Sequence, residues 1–293
     1  MRDMSVIGEQ GPYVLIVRCP DRKGIVAAVS TYLAKHDASI TESNHFNDAL
    51  NNLFFMRTVF RADGVDFPDL DALKEGFAPI GRQYDMHWEL HDLSVRPKVV
   101  IAVSKFGHCL YDLLHRQRSG SLRMDIPAVV SNHDDMRSFV EWSGIPYHHL
   151  PVTKGNKDAQ EAQFTKIIQD SGANLVVLAR YMQILSPEFC EVLSGRCINI
   201  HHSFLPSFKG AKPYHQAHER GVKIIGATAH FVTNVLDEGP IIEQDIQRVD
   251  HSHTPEDLVD MGRDVECAVL ARAVRWQLEH RIIMDGSRTV IFK

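Results

Sequence analysis

Residues 199–206 read Asn199-Ile200-His201-His202-Ser203-Phe204-Leu205-Pro206 and begin inside a short apolar strand pattern. Side chains alternate between the two faces of a strand, so Asn199 and His201 lie on one face while Ile200 takes the other. The apolar face predicts a strand against a core, and the polar face predicts a site on a rigid element. Further along the chain, Val235-Leu236-Asp237-Glu238-Gly239-Pro240 adds a carboxylate in a turn between two predicted strands.

Strand and helix patterns up to residue 94 predict a small separate domain. A helical face with Ile25, Val29 and Leu33 follows the turn sequence Cys19-Pro20-Asp21-Arg22-Lys23-Gly24. The predicted order is strand 13–18, a helix from residue 25, strands 38–47 and 53–60, helix 69–80 and strand 83–90. This βαββαβ order is that of a ferredoxin-like fold, which we assign to residues 1–94.

From residue 95 onward, short apolar strands alternate with helices, which predicts a mainly parallel, Rossmann-like sheet. Strands are predicted at 99–104, 128–132, 147–150, 175–179, 197–201, 225–232, 241–247 and 288–292. Helices are predicted at 110–118, 136–142, 157–169, 187–193 and 255–280. We therefore expect an α/β protein with a second domain over 95–293. Functional residues of such sheets lie at the carboxyl ends of strands, where Asn199 and His201 fall.

Composition argues against several classes of protein. The chain has 293 residues, a net charge of −5 and a pI near 6.4, without the basic balance of a nucleic-acid-binding protein. Its apolar runs are too short to span a membrane, and Met1-Arg2-Asp3-Met4-Ser5 does not resemble a signal peptide. The five cysteines are odd in number and form no CxxC pair, which predicts reduced thiols and a cytoplasmic protein.

Each polar residue of the predicted site also has an ordinary structural interpretation. Asn199 can form a turn, His201 can be a core histidine bonded to a carbonyl, and Asp237 stands in a common turn sequence. For each residue taken singly the structural interpretation is the stronger one, and only the combination favours a site. The 17 histidines lack the spacing of a dedicated metal site, so no metal is expected.

Four segments together resemble the folate-dependent formyltransferase family. They are residues 199–206, Gly210-Ala211-Lys212-Pro213-Tyr214, Gly226-Ala227-Thr228-Ala229-His230-Phe231-Val232 and Leu236-Asp237-Glu238-Gly239-Pro240-Ile241-Ile242. The resemblance spans residues 98–293 and implies that Asn199, His201 and Asp237 are catalytic. It also implies that the segment 178–185 lines a pterin pocket. The substrate-binding residues so implied are Tyr181, Met182, Gln183, Leu185 and Val232.

The turn Asp21-Arg22-Lys23-Gly24-Ile25-Val26 resembles that of an ACT domain, a module that often senses amino acids. An ACT domain ahead of a formyltransferase-like domain is similar to the formyltetrahydrofolate deformylases, which hydrolyse 10-formyltetrahydrofolate to formate and tetrahydrofolate for one-carbon and purine metabolism. The resemblance implies a folate substrate, a homo-oligomer (dimer or tetramer) and an amino-acid effector such as glycine or methionine. Asp21 and Gly24 are the candidate effector contacts, although a plain helix-capping turn explains them about as well.

A formyltransferase with an amine acceptor is the main alternative. Transferases that act on glycinamide ribonucleotide carry a loop of small residues around the phosphate, where this chain has Ser104-Lys105-Phe106-Gly107-His108. Phe106 and His108 place bulk at the expected phosphate position, and His202 replaces the proline usual in transferases. Both departures favour hydrolysis. A loop that merely varies, and a non-catalytic amino-acid sensor, are the remaining interpretations.

The chemistry implied is attack of water on the formyl carbon. The side-chain amide of Asn199 is expected to donate to the developing oxyanion. Asp237 is expected to position and deprotonate the water, while His201 stabilises charge or protonates N10 as it leaves. Because the two groups would titrate as a coupled pair, the sequence leaves open which of them holds the proton at each step.

Overall fold

The computed structural model describes residues 11–64, 66–205 and 213–293, which fall into two units. The first unit comprises residues up to Arg96 together with 279–283 and 290–293. The second unit comprises 97–278 and 284–289. The motif residues Pro206 and 210–212, like the N-terminal residues 1–5, lie outside the described residues.

The first unit is a four-stranded antiparallel sheet with two helices. Its elements are β1 (Tyr13–Pro20), α1 (Ile25–Lys35), β2 (Ala38–Asp48), β3 (Leu53–Ala62), α2 (Leu70–Gln83) and β4 (His87–Asp92), in the sheet order β2-β3-β1-β4. The βαββαβ prediction is confirmed. The predicted start of the last strand is wrong, because α2 continues for a further turn beyond Pro79 and β4 begins only at His87.

Both faces of β1 are buried by apolar residues. One face, with Leu15 and Val17, packs against α1 and α2. The opposite face, with Val14 and Ile16, packs against the C-terminal residues Ile283, Val290 and Phe292. Burial on both faces explains the unbroken apolar run in this strand, since a half-exposed strand would alternate. The structure therefore places 279–283 and 290–293 with the first unit, whereas the sequence assigned all of 95–293 to the second.

A buried arginine holds the C-terminal segment against this sheet. Arg57 lies in β3 and is 2% exposed. Its Nη1 pairs with Oε1 of Glu42 at 2.8 Å, while Nη2 and Nε donate to the carbonyls of Glu279 and His280 at 3.0 and 3.1 Å. A buried charge is costly unless it is paired. These three acceptors offset that cost, since they lie in the directions in which the planar guanidinium of Arg57 presents its N–H groups.

The same packing gives the first unit a pH dependence through His280. Burial, followed by the charges of His91 and Arg57, lowers the pKa of His280 from 6.5 to about 4, although Glu89 opposes the shift. A histidine with a lowered pKa in the folded state binds its proton more readily when the chain is unfolded. The free energy of unfolding is therefore expected to fall as the pH drops from 6.5 to about 4.

We expect His280→Asn to make that fall shallower, because it removes the titrating group. Asparagine suits the site, since residue 280 has φ +51° and asparagine tolerates the left-handed region. Urea unfolding at about pH 7 and about pH 4.5 measures the change. The matched control is His87→Asn, which replaces an exposed histidine of the same unit. Equal slopes in the two variants would contradict the role of His280.

The second unit contains a seven-stranded sheet in the order β11-β10-β9-β8-β5-β6-β7. Its strands are β5 (Lys98–Val103), β6 (Asp125–Ser131), β7 (Tyr147–His149), β8 (Leu175–Leu178), β9 (Cys197–His201), β10 (Ile224–Phe231) and β11 (Ile241–Arg248). Its helices are α3 (His108–Arg118), α4 (Arg137–Trp142), α5 (Lys157–Ser171), α6 (Pro187–Val192), α7 (Pro213–Glu219) and α8 (Pro255–Leu278). Two short strands follow, β12 (Ile282–Asp285) and β13 (Arg288–Ile291), of which the sequence predicted only the second.

Strands β5 to β9 are parallel to one another, and β10 and β11 are antiparallel additions next to β9. The predicted α/β class with a mainly parallel sheet is confirmed. The strand order reverses beside β5, with β6 on one side and β8 on the other, and ligands of such sheets bind outside the carboxyl ends at this point. Across the described segments, none of the helices is both long enough and apolar enough to cross a membrane.

Candidate active site

A cavity of about 340 Å³ lies beyond the carboxyl ends of β8 and β9. Asn199, His201 and Asp237 all line it, so the structure brings together the three residues that the sequence singled out as catalytic. The five residues predicted to bind substrate line the same cavity: Tyr181, Met182, Gln183, Leu185 and Val232. Their role in folate binding stays a prediction, but their position beside the catalytic candidates is what that role requires.

Strand β10 contributes a histidine that the sequence analysis did not single out. His230 is 3% exposed and lies opposite Asn199 in the antiparallel register. Its Nδ1 donates to the carbonyl of Phe231 at 2.9 Å, so in the neutral ring Nε2 is an acceptor, and Asn199 Nδ2 donates to it at 3.3 Å. One N–H of the Asn199 amide is fixed in this way, and the second remains for a substrate oxygen. The signal in the sequence was period two, since Thr228 and His230 are polar on one face of an apolar strand.

His201 and Asp237 form the second half of the site. Nδ1 of His201 lies 3.2 Å from Oδ1 of Asp237, and Nε2 of His230 lies 3.7 Å from the same oxygen. The hydrogen bond from His201, and after it the neighbouring His230, hold the pKa of Asp237 well below its usual range, although burial opposes the shift. Nε2 of His201 is buried and has no hydrogen-bond partner among the described residues. His201 lines the cavity and has a ring nitrogen that no described residue occupies.

The turn after β10 places the Asp237 carboxylate. Asp237 has a left-handed backbone with φ +58°, and Gly239 follows it closely against the strand. A Cβ at residue 239 would overlap the carbonyl oxygen of Phe231, whose N–H donates to the carbonyl of Pro240 at 2.9 Å. The turn thus needs glycine at this position in order to lie against β10, and the position of Asp237 depends on it.

A second polar cluster surrounds Glu266, which is 1% exposed in α8. His108 Nε2 lies 2.6 Å from Oε2, the Tyr214 hydroxyl donates to Oε1 at 2.8 Å, and Arg180 Nε lies 3.4 Å from Oε2. Burial on its own would raise the pKa of Glu266, but His108, Arg180 and Tyr214 together hold it below its usual value. The sequence analysis missed this acid, although Glu266 interrupts the apolar stripe of α8 between Val265 and Val269.

The bulky residues of the loop after β5 both contact this cluster. Phe106 is 49% exposed, and the Arg180 guanidinium carbon lies 6.0 Å from its ring centroid, within the range of a cation–π contact. His108 is the partner of Glu266. The two residues thus meet charged side chains of the second unit, while their proposed effect on an acceptor phosphate stays a prediction.

Ser104, at the end of β5, fixes the start of the predicted pterin segment. Its backbone N–H donates to the carbonyl of Arg180 at 3.2 Å, and its hydroxyl accepts from the N–H of Met182 at 2.9 Å. The same hydroxyl donates to Oδ1 of Asn132 at 2.7 Å. The backbone N–H and the buried hydroxyl of Ser104 together hold residues 180–182 in place.

We expect Ser104→Ala to raise KM for the folate about tenfold with a smaller change in kcat, because the Met182 N–H and the Asn132 carbonyl lose a partner. Steady-state kinetics of the purified variant measures both constants. Ser119→Ala is the matched control, since its exposed hydroxyl only donates to the carbonyl of Arg116. A KM equal to that of the control would contradict the positioning role of Ser104.

The candidate effector residues lie in the loop between β1 and α1. Gly24 has φ +93°, and it lines a pocket of about 410 Å³ in the first unit together with Lys35 and Tyr84. The Asp21 carboxylate accepts from the Asn47 amide, and Asp21 is not among the residues that line this pocket. The structure therefore separates the two candidates: Gly24 lines the pocket, while Asp21 links its loop to Asn47 of β2.

Two groups of side chains bring three potential metal ligands within 4.8 Å of one another in the described parts of the chain. One is Glu89, His91 and His280, and the other is His108, Cys109 and Glu266. Each group contains a direct histidine–carboxylate contact, at 2.8 Å for His91 and Glu89 and at 2.6 Å for His108 and Glu266. These contacts explain the short distances without an ion, so we assign no metal to either group.

Comparison with known proteins agrees with the geometry of both units. The formyl transferase family model matches residues 97–274, and the ACT domain model matches residues 13–75. A formyltetrahydrofolate deformylase of Corynebacterium sp. (strain P-1) is 50% identical over 288 residues, which cover 98% of this chain and 100% of that protein. The chain belongs to the formyltetrahydrofolate deformylase family.

Solved structures extend the match. A crystal structure of formyltetrahydrofolate deformylase from Burkholderia mallei has 53% identity and a TM-score of 0.92, covering 97% of this chain and 100% of that one. Glycinamide ribonucleotide transformylase 1 from Symbiobacterium toebii has 30% identity and a TM-score of 0.64, covering 68% of this chain and 95% of that one. The deformylase family therefore shares a fold with the transferases, and the chemistry must be decided by the residues of the site.

Proposed function

We propose that the chain hydrolyses 10-formyltetrahydrofolate to formate and tetrahydrofolate, which supplies formate for one-carbon and purine metabolism. The observation that carries the proposal is the convergence of Asn199, His201 and Asp237 on one cavity, with Nε2 of His201 unpaired among the described residues. Membership of the deformylase family supports it. The folate is the substrate, and no further cofactor is needed for this reaction.

The geometry favours His201 as the residue that carries the proton. The pKa of Asp237 lies well below its usual range, so its carboxylate is a weak base and binds a proton poorly. We therefore modify the sequence-based role: Asp237 holds His201 Nδ1–H and positions the water, while Nε2 of His201 accepts the proton of that water. When the bond between the formyl carbon and N10 breaks, the same proton passes from Nε2 to N10.

Asn199 acts on the charge that develops on the formyl oxygen. The hydrogen bond to His230 fixes the orientation of the Asn199 amide and therefore also the direction of its second N–H. An oxyanion donor is effective when it is preorganised in this way. His230 is a positioning residue in this scheme, because it contacts Asn199 and approaches Asp237. Side chains on β9, on β10 and in the turn after β10 thereby act together on the formyl oxygen and on N10.

Water is the nucleophile in this proposal, which takes the side chains of Phe106 and His108 to fill the acceptor side. Both are engaged with the charged pair Arg180 and Glu266. No observation in the described part of the chain favours an amine acceptor. The transferase alternative is therefore not proposed.

The test is formate release from 10-formyltetrahydrofolate with no amine present. We expect steady turnover, and we expect added glycinamide ribonucleotide to leave both the rate and the product unchanged. Formyl transfer to that amine, with no formate released in its absence, would make the protein a transferase. Binding of the folate without turnover under either condition would leave a sensor.

We propose that the first unit binds an amino-acid effector, glycine or methionine, at the loop that contains Asp21 and Gly24. The pocket beside Gly24 supports this position, since Lys35 supplies a cation for an amino-acid carboxylate. Titration calorimetry with each amino acid, paired with formate release over millimolar concentrations, tests the proposal. Absence of both heat and any change in rate would exclude these two effectors.

We propose further that the protein is a cytoplasmic homo-oligomer, either a dimer or a tetramer. Its five cysteines are free, as expected of a reducing compartment. Strand β2 lies at an edge of the first sheet and exposes Ile40 and Phe46, and an apolar edge strand is suited to pairing. Sedimentation velocity on the wild type and on Phe46→Glu tests this, with a monomeric wild type as the contrary result.

A further inference from the structure

Arg180 is a buried cation that has no role in the proposed hydrolysis. It follows β8 directly, lines the same cavity as Asn199, His201 and Asp237, and has a side chain only 10% exposed. Its φ of +63° places a non-glycine residue in the left-handed region, which is uncommon and costs conformational energy. Strained residues of this kind concentrate at functional sites, because the surrounding structure has to hold them there.

The guanidinium of Arg180 is only partly satisfied. It carries five N–H donors, of which Nε lies 3.4 Å from Glu266 Oε2, while the face of the group lies over Phe106. Nη1 is buried and has no hydrogen-bond partner in the residues that the structure describes. A buried charged donor without a partner is costly, so its presence at a cavity wall points to an acceptor that arrives with the ligand.

Ring contacts connect Arg180 to the reacting end of the cavity. The Glu266 carboxylate binds both Arg180 and Tyr214, and the ring centroids of Tyr214 and His202 are 6.4 Å apart. The rings of His202 and His201 are stacked with centroids 5.1 Å apart. Burial, and after it the charge of Arg180, lowers the pKa of His202 to about 4, so His202 is neutral near pH 7 and adds no second cation here. Among the described residues that line this cavity, Arg180 is the only arginine or lysine.

Hydrolysis creates an anion at this end of the cavity. Breaking the bond between the formyl carbon and N10 leaves tetrahydrofolate as a neutral amine and the formyl carbon as formic acid, which loses the remaining proton of the water to the solvent and becomes formate. Formate then lies near the ionised Asp237, which repels it. A guanidinium N–H matches a carboxylate oxygen in both geometry and charge. Among the ligands of this reaction, formate is the small anion that is produced at the catalytic end.

We propose that Arg180 binds the product formate through Nη1 and draws it away from Asp237. This inference rests on the proposed function, since formate is its product. Glu266 is the positioning residue for Arg180, and Phe106 covers the outer face of the guanidinium. The site takes a small planar carboxylate, and its occupancy by formate competes with the formyl group of a new substrate molecule.

The experiment measures formate binding in two independent ways. Line broadening of ¹³C-formate by the resting protein, with and without tetrahydrofolate, needs no turnover. Inhibition of hydrolysis by added sodium formate gives the same affinity during catalysis. The variants are Arg180→Met, which removes the donors, and Arg180→Lys, which keeps a cation. Arg137→Met is the matched control, because Arg137 forms surface ion pairs with Asp134 and Glu141.

We expect millimolar formate binding in the wild type, a loss of about tenfold or more in Arg180→Met, and a loss of about threefold or less in Arg180→Lys. Arg137→Met is expected to bind formate as the wild type does. Circular dichroism shows whether each variant is folded, and Arg180→Gln, which also removes the charge and for which the same loss is expected, replaces Arg180→Met if that variant is not. Absence of formate binding to the wild type would overturn the proposal.

Two other results separate this inference from the proposed function. If Arg180→Met raises KM for the folate but leaves formate binding unchanged, the arginine contacts the folate and the formate site is wrong. If the wild type binds formate in a manner that depends on Arg180 but releases none from 10-formyltetrahydrofolate, the formate site stands while the proposed hydrolysis fails.

Discussion

Asp237→Asn is expected to lower kcat for acceptor-free formate release by about 10³–10⁴-fold, with KM for the folate nearly unchanged. The carboxylate accepts the Nδ1–H of His201 at 3.2 Å and thereby leaves Nε2 as the nitrogen that exchanges a proton. An asparagine amide can present its N–H to Nδ1 instead, which would move the imidazole proton to Nε2 and block it as a base. The loss should thus appear in the chemical step and leave substrate binding intact.

Glu238→Gln is the matched control for this variant, since it neutralises the adjacent, exposed acid in the same turn. Glu238→Gln is expected to keep the wild-type rate, and that result would exclude a general effect of the charge of the turn on kcat. Rapid-quench measurement of a single turnover separates chemistry from product release. A single-turnover rate within about tenfold of the wild type in Asp237→Asn would contradict the role given to the carboxylate.

The sequence predicted the fold of both units because their patterns are local. In the second unit the strand 197–201 coincides with β9, since an apolar face alternates with Asn199 and His201 and the turn sequence follows at once. Boundaries were less accurate where the signal was ambiguous. The helix predicted over 69–80 continues to Gln83 as α2, since tertiary packing of Phe77 and Gly81 holds its last turn in place.

The C-terminal segment that packs on one face of the first sheet could not be predicted from local patterns. Val14 and Ile16 are buried by residues from the other end of the chain, and a sequence gives no direct sign of which distant segment will cover a face. The apolar run of β1 predicted a strand but not the segment that packs on it. The sequence therefore placed 279–283 and 290–293 in the second unit, whereas the structure groups them with the first.

The candidate site likewise divides into residues that local motifs predicted and residues that only the fold brings together. Asn199, His201 and Asp237 were found because they stand in short motifs at the ends of strands. Arg180 and Glu266 were missed because they come from the segment after β8 and from α8, which are far apart in sequence, and neither residue stands in a motif of its own. Their function depends on a pairing at 3.4 Å that only the fold creates. Motifs thus identified the groups that we propose to react, while the charges that surround them required the structure.

Gly239→Ala is expected to lower kcat by about 10²-fold or more while the protein stays folded, because a displacement of about 1 Å at a reacting group can cost that much. A Cβ at this position would overlap the carbonyl oxygen of Phe231, and the backbone of β10 cannot yield easily. The turn must therefore move away from the strand, and Asp237 moves with it. Gly144→Ala is the control, since it has φ +76° with open space around it and strains a turn remote from the site.

The double variant Asp237→Asn/Gly239→Ala shows whether the glycine acts through the carboxylate. If the only effect of the Cβ on catalysis is to displace Asp237, then removing the charge leaves little for the displacement to change, and the double variant should be about as slow as Asp237→Asn alone. Multiplied losses would show that the turn also supports another group, and His230 is the first to test, since its Nδ1 would lie 3.3 Å from the new Cβ. Comparable activity of Gly239→Ala and Gly144→Ala would instead mean that the turn accommodates a side chain, and that the position of Asp237 is set by its hydrogen bond to His201.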